Sequence, residues 1–423
     1  MNVLDFSTLY LQSSRKGSNL QIEEHIAKHN LHEVHQSAYR KHHSTETALL
    51  RVQNDILHSL DRGESTVLVM LDLSAAFDTI DHKTLLDRLD HLYGIAGQPL
   101  QWMRSYMTDR FQTVCVNGKL SKPLHMTYSV PQGSVLGPKN YVMYTKPVGA
   151  ICRKHQLQHH FYADDSQLYL AFKPTDKTAR SDTIQRIEAS LKDIVGWMNQ
   201  NFLKLNTDKT EVIVFNPKRK PSPASNLSIQ VGDSCIKPSL KVRNLGAIFD
   251  THLDMEHHVN AVSRTCYTQI RNISKIRQYL TIDATKSLVN STVTSRLDYC
   301  NGLLYGANQS AINRLQVVQN TAARLITKTP KHAHITPVLK QLHWLPVNRR
   351  VEYKVIVHVY KAMNGQGPEY LNNLLTLYSP RRQLRSADDH TLLVAPRTRT
   401  VTYGERCFTT AAPKLWNTLP NIA

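Results

Sequence analysis

Helical spacing of apolar residues first appears at Ile22, Ile26 and Leu31, after some twenty residues with little periodicity, and stops at a His29-Asn30 turn. A second helix is predicted through Leu49, Val52, Ile56 and Leu60, with Ser44 or Thr45 placed to cap its start and Gly63 to end it. The pattern then changes. Val67-Leu68-Val69-Met70-Leu71 is apolar without alternation and follows Gly63-Glu64-Ser65, as expected of a central strand buried on both faces that delivers Asp72 at its end. Helices are predicted over 82–91, behind an Asp cap, and over 101–110. Residues 112–119 read as a strand entering an Asn117-Gly118 hairpin turn. Pro131-Gln132-Gly133-Ser134 belongs to a loop that leads into another helix. Strands over 158–162 and 168–172 flank the turn Ala163-Asp164-Asp165. A helix over 183–201 places Ile184, Ile187, Leu191, Ile194 and Trp197 on one face.

Residues 206–211 are expected to turn into a strand over 212–215, and the polar, basic, proline-rich run 216–223 to form a surface loop. A short hairpin over 227–237 and a strand over 245–249 follow. Beyond Asp254 long helices take over, including 261–276 and 311–325, which sets a boundary near residue 255. After Pro330 helices shorten, and 379–385 reads as loop. Strands first and helices later describe an α+β chain, and 423 residues exceed one small core, so two or three domains are expected.

Composition narrows the class. No apolar run approaches the ~18 residues of a membrane span, and the first residues lack a basic stretch followed by an apolar one, so no membrane partner and no secretion are expected. A nuclear or cytoplasmic location is the resulting expectation, and Pro217-Lys218-Arg219-Lys220-Pro221 reads equally as an import patch or a charged loop. Six scattered cysteines form no Cys-x-x-Cys pair and are expected to be free thiols. The histidine pairs at 42–43, 159–160 and 257–258 lack partners at zinc spacing.

Charge adds a partner. Of a net +19, residues 1–216 carry +2 and residues 217–423 carry +17. A basic half beside a nearly neutral one suits a surface that follows a polyphosphate backbone, although a solvated basic face has the same composition. The chemistry sits in the first half. Asp164 and Asp165 at a hairpin tip, facing Asp72 on a neighbouring strand, are the donor set for two Mg²⁺ ions in nucleotidyl transfer. An acidic pair alone would be equally compatible with a solvated turn; the aligned Asp72 is what favours metal. Asp72 and Asp164 are the primary candidate ligands, and Asp165 a third that serves either as ligand or as outer support.

Three boxes in order carry a family resemblance: Asp72-Leu73-Ser74-Ala75-Ala76-Phe77-Asp78, Val130-Pro131-Gln132-Gly133-Ser134-Val135-Leu136-Gly137-Pro138 and Tyr162-Ala163-Asp164-Asp165. With Ser37-Ala38-Tyr39-Arg40-Lys41-His42-His43-Ser44-Thr45-Glu46-Thr47-Ala48, Leu203-Lys204-Leu205-Asn206, Lys209-Thr210-Glu211 and Leu342-His343-Trp344-Leu345-Pro346, the chain resembles, over about residues 20–420, the reverse transcriptase of a non-LTR (LINE-type) retrotransposon. The resemblance implies a right-hand polymerase fold. Residues 1–30 would be a fingers remnant or divergent start, 31–254 fingers and an antiparallel palm sheet, 255–330 a helical basic thumb and 331–423 a small C-terminal region. It implies RNA-directed DNA synthesis with Mg²⁺ (Mn²⁺ as an alternative), an RNA template, a DNA primer or target and dNTPs; a separate endonuclease is an open further partner.

By the same resemblance Phe77 would exclude a 2′-hydroxyl by bulk, Gln132 and Gly133 would approach template and nucleotide, Arg40 would contact the triphosphate, and Lys209 would neutralise or protonate the leaving pyrophosphate. Each has a plainer reading: a core phenylalanine, a turn, a solvated cation. The pattern departs from the family where Ser129 replaces the usual glycine and where Lys139-Asn140 interrupt a normally apolar helix. Fingers residues expected before Gln21 and the preceding endonuclease are not recognised, so an amino-terminally truncated copy is expected, with a catalytically inactive nucleic-acid-binding remnant as the second reading. A group II intron or retron reverse transcriptase is a third, disfavoured by the LINE-like boxes at 43–48 and 342–346.

Overall fold

The computed structural model describes residues 15–74, 77–130, 134–218, 227–379 and 392–420. Gln132 and Gly133, most of the basic run at 216–223, and the loop from residue 380 onward lie outside the described residues.

The centre is a four-stranded antiparallel sheet in the order Gln158–Tyr162, Asp165–Phe172, Ser65–Ser74, Lys204–Phe215. Its inner strand Ser65–Ser74 is apolar without alternation over 67–71 because both sides are covered there. Val67, Val69 and Leu71 join Leu168, Val212 and Val214 in one core, under the helices Arg15–Lys28, His82–His91, Gly97–Met107, Gly137–Thr145 and Lys177–Gln200. Leu68 joins Tyr169, Ile213 and Phe215 in a second core, shared with Thr45–Asp61, Glu256–Ile276, Gln309–Thr327, Val347–Met363 and Phe408–Trp416. The sheet is thus the partition between two hydrophobic cores. An apolar run without alternation is what such a partition requires.

Local signals explain many ends. Ser44 caps Thr45–Asp61 in a capping box with Thr47, and Asp81 caps His82–His91 through Thr84 N–H. Asn117 and Gly118, both at positive φ, turn the ribbon Cys115–Val116/Lys119–Leu120. Several expected boundaries change. The first helix begins at Arg15, ahead of the apolar spacing, and the helix expected over 101–110 runs Gly97–Met107 because Arg110 enters a strand paired with Met126. Residues 206–211 form no separate turn. They lie within the continuous strand Lys204–Phe215, whose register shifts so that residues 207–210 bulge opposite Leu71 alone. All six cysteines are free, and no described helix is long and apolar enough to cross a membrane.

Candidate active site

The acids meet at one end of the sheet. Asp72 lies inside its strand rather than at the end, opposite Asn206. Pairing of Leu71 with Ser166 brings Asp72 level with Asp165, on the face that also carries Met70 and Gln167. Tyr162 pairs with Asp165, so the turn proper is Ala163-Asp164, and Asp165 opens the return strand. The bulge carries Lys209 above Asp72, with Nζ 3.8 Å from Oδ1; the ammonium is two-thirds exposed and Asp72 half-buried. Asn206 Oδ1 accepts the Lys209 N–H at 3.3 Å, and Thr210 Oγ1 donates to Asn206 O at 2.8 Å, fixing the bulge.

Electrostatics confirm the crowding. The Asp165 pKa is pushed up to about 6, first by loss of water around the carboxyl and then by the charges of Asp164 and Asp72, although the residue as a whole remains open to solvent. Among the described residues no three His, Cys, Asp or Glu side chains close into a ready-made metal cage. Carboxylates that repel one another at an open sheet end suit a hard divalent ion, which takes one or two protein carboxylates and completes its shell with water and phosphate oxygens. The donor set therefore fits Mg²⁺.

Behind the acids lies Tyr141, 1 % exposed, whose phenol pKa is raised well above its usual value by burial and then by Asp164, Asp165, Tyr39 and Asp72. Phe77 packs on that ring at 5.1 Å between centroids, which places it beside the site, half-buried. Arg40 is placed differently. Its Nη1 donates to Glu33 O (3.1 Å) and Gln36 O (3.0 Å), which commits the guanidinium to the turn at 33–36. The structure thus brings Asp72, Asp164, Asp165, Lys209 and Phe77 together, while Arg40 braces the turn before the second helix.

Two contributors had no motif to reveal them. Tyr141 carries only the signal of an aromatic on a buried helix face. Gln36 holds the acidic turn directly: its Oε1 accepts Ala163 N–H at 3.1 Å and its Nε2 reaches Ala163 O at 3.5 Å. Ala163 sits at φ +57°, a left-handed conformation that L-residues other than glycine adopt at a cost.

Both departures flanking the middle box acquire a physical meaning. Ser129 is at φ +78°, where glycine would be unstrained. Lys139 forms an ion pair with Glu23, and burial lowers its pKa to about 8. Asn140 is fully buried, with neither amide atom hydrogen bonded.

Residues 10–249 match the family model described as reverse transcriptase (RNA-dependent DNA polymerase). The chain belongs to the reverse transcriptase family. It is 28 % identical over 325 residues to the probable RNA-directed DNA polymerase from transposon BS of Drosophila melanogaster, covering 75 % of this chain and 35 % of that protein. It is 24 % identical over 303 residues to the RNA-directed DNA polymerase from mobile element jockey of Drosophila funebris, covering 70 % and 32 %. The chain therefore spans about a third of the length of these curated relatives. Among solved structures, apo telomerase from Candida tropicalis superposes with a TM-score of 0.41 at 9 % identity, over 85 % of this chain and 59 % of that one.

Proposed function

We propose that this chain catalyses RNA-directed DNA synthesis for a non-LTR retrotransposon, adding dNTPs to a DNA primer on an RNA template in the nucleus or cytoplasm. The observation that carries the reading is the convergence of Asp72, Asp164 and Asp165 at one sheet end with Lys209 above them. Bound there, Mg²⁺ would supply Lewis acidity to the primer hydroxyl and to the leaving pyrophosphate. Asp72 and Asp164 would hold it, and Asp165 would complete or support the set. The Lys209 ammonium, exposed and already drawn to Asp72, neutralises charge on the departing pyrophosphate. Phe77, backed by Tyr141, is a rigid wall beside the acids and excludes a ribose 2′-hydroxyl.

The +17 half of the chain, helical from Glu256 onward, serves as the thumb and C-terminal surface that follows the template–primer backbone. The test is primer extension on poly-rA with oligo-dT and Mg²⁺, comparing the parent with Asp164→Ala. Extension by the parent that disappears in the variant is expected. No extension by the parent, alongside RNA binding that weakens steeply with salt, would replace polymerase by an inactive nucleic-acid-binding remnant.

A further inference from the structure

Resting on that polymerase reading, we propose that Tyr370 and Gln36 are positioning residues: a segment far along the chain latches the turn at 35–38 onto the acidic hairpin and so sets the aim of Asp164 and Asp165.

The contact between turn and hairpin is a short stretch of paired backbone. Phe161 N–H donates to His35 O at 2.8 Å and Ser37 N–H donates to Phe161 O at 3.0 Å, with Gln36 bridging Phe161 in parallel. The Gln36 side chain extends this contact by two residues to Ala163. Its Oε1 also accepts Ala38 N–H at 2.9 Å, which fixes the orientation of the amide. Ala163 is in a left-handed conformation that costs about 1 kcal/mol or more. A strained residue keeps such a geometry only when its surroundings over-determine it. Gln36 supplies both partners needed, one for the N–H and one for the C=O.

What holds the turn itself comes from the other end of the chain. Tyr370 lies in the short helix Glu369–Asn372 and is 2 % exposed. Its hydroxyl lies 2.8 Å from Ser37 Oγ and donates to Thr47 Oγ1 at 3.1 Å; Ser37 Oγ lies 2.8 Å from His160 Nε2. The protons can be placed. Thr47 gives its hydroxyl proton to Ser44 O, so Tyr370 must donate to Thr47, Ser37 to Tyr370, and His160 Nε2–H to Ser37. This puts a proton on His160 Nε2, and a second proton on the buried Nδ1 would have no acceptor, so the ring is neutral with Nδ1 unprotonated. That agrees with a pKa held well below the usual value by burial, then by His35 and His159.

The Tyr370 ring meets His160 edge-on at 4.9 Å, and its carbonyl accepts from Arg51 Nη1 at 3.3 Å. His160 stands next to Phe161 in the hairpin strand, so one buried, one-directional chain of donors ties residue 370 to residues 37, 47 and 160. Loss of the Tyr370 hydroxyl leaves the buried Ser37 hydroxyl without its acceptor and loosens the turn that carries Gln36.

The test uses amide hydrogen exchange at Ala163, which reads the clamp without requiring polymerase activity. Gln36→Ala and Tyr370→Phe are compared with the parent, with amides of the buried strand Ser65–Ser74 as the internal control for global opening. Both variants are expected to speed Ala163 exchange at least about fivefold, the equivalent of one lost hydrogen bond, with the control strand unchanged. The Mg²⁺ concentration for half-maximal primer extension is expected to rise by a similar factor, and the dissociation constant for template–primer to stay within twofold. Tyr370→Phe with parental exchange at Ala163 and intact control amides overturns the latch, whether or not the parent extends primers. Acceleration at Ala163 and in the control strand together would overturn it too, by showing a general loss of stability. Absent extension by the parent with accelerated Ala163 exchange in both variants would keep the latch and refute only the polymerase reading.

Discussion

Ser129→Gly should stabilise this protein. Ser129 is 6 % exposed at φ +78°, and its backbone cannot rotate away to relieve the conformation. Its N–H donates to Ile80 O at 2.9 Å, while its carbonyl accepts from His82 Nε2 at 2.7 Å and Arg110 Nη1 at 3.2 Å. Rotation to negative φ would break three buried or partly buried hydrogen bonds, so the strain is retained. A Cβ in the left-handed region costs about 1–2 kcal/mol, and glycine returns about 0.5–1 kcal/mol of this through the greater freedom of the unfolded chain. A net gain of about 0.5–1 kcal/mol follows. Equilibrium urea unfolding reads it as a higher midpoint at unchanged slope. Ser129→Ala keeps the Cβ and should stay within about 0.5 kcal/mol of the parent. Ser129→Gly at or below the parent, with the slope unchanged, would refute the argument that this backbone is strained.

Asn140→Leu should raise the urea midpoint by the equivalent of about 1–3 kcal/mol, because it removes two buried amide atoms that have no partner; a lower midpoint would mean that the cavity does not accept the branched side chain. His258 has its pKa lowered to about 4, by burial and then by Arg243, and His35 and His43 are lowered to about 4 mainly by burial. A folded pKa below the unfolded 6.5 means that the unfolded chain takes up the extra protons, so this stability is complete above pH 6.5 and is lost as pH falls towards 4. Unfolding midpoints measured from pH 7.5 to 4.5 should decline through that window and decline less steeply in His258→Gln; equal slopes would remove His258 from the account. Phe77→Ala should raise the ratio of UTP to dTTP incorporation on poly-rA by roughly tenfold, about 1.4 kcal/mol of discrimination, and an unchanged ratio in a variant that still extends primers would show that the ring is not the discriminating wall.

Short-range features were legible from residue order. A box such as Tyr162-Ala163-Asp164-Asp165 carries its own hairpin signal, and the non-alternating run at 67–71 states that both faces of its strand are covered without saying by what. The covers are the two cores, assembled from helices before and after the sheet in sequence. The polar residues at 206–211 suit a turn as well as a bulged strand, and only pairing with Ser65–Ser74 distinguishes the two. Ser129 and Lys139-Asn140 were visible as departures from a family pattern, but their consequence depended on a dihedral angle and on burial, neither of which a residue type reports.

The positioning residues were the least legible. Gln36 contacts Ala163 across 127 positions and Ser37 contacts Tyr370 across 333, and at each place the local signal is an ordinary polar residue in a turn or a tyrosine in a short helix. Chemistry on the metal side requires carboxylates, so residue type exposes it. Orientation requires only a hydrogen bond of the right length, which Gln, Ser, Thr, His and Tyr all make. The apparatus that aims the acids is therefore spread over interchangeable residue types at long separation. Substitutions in it should alter the metal requirement of the site before they alter its affinity for nucleic acid.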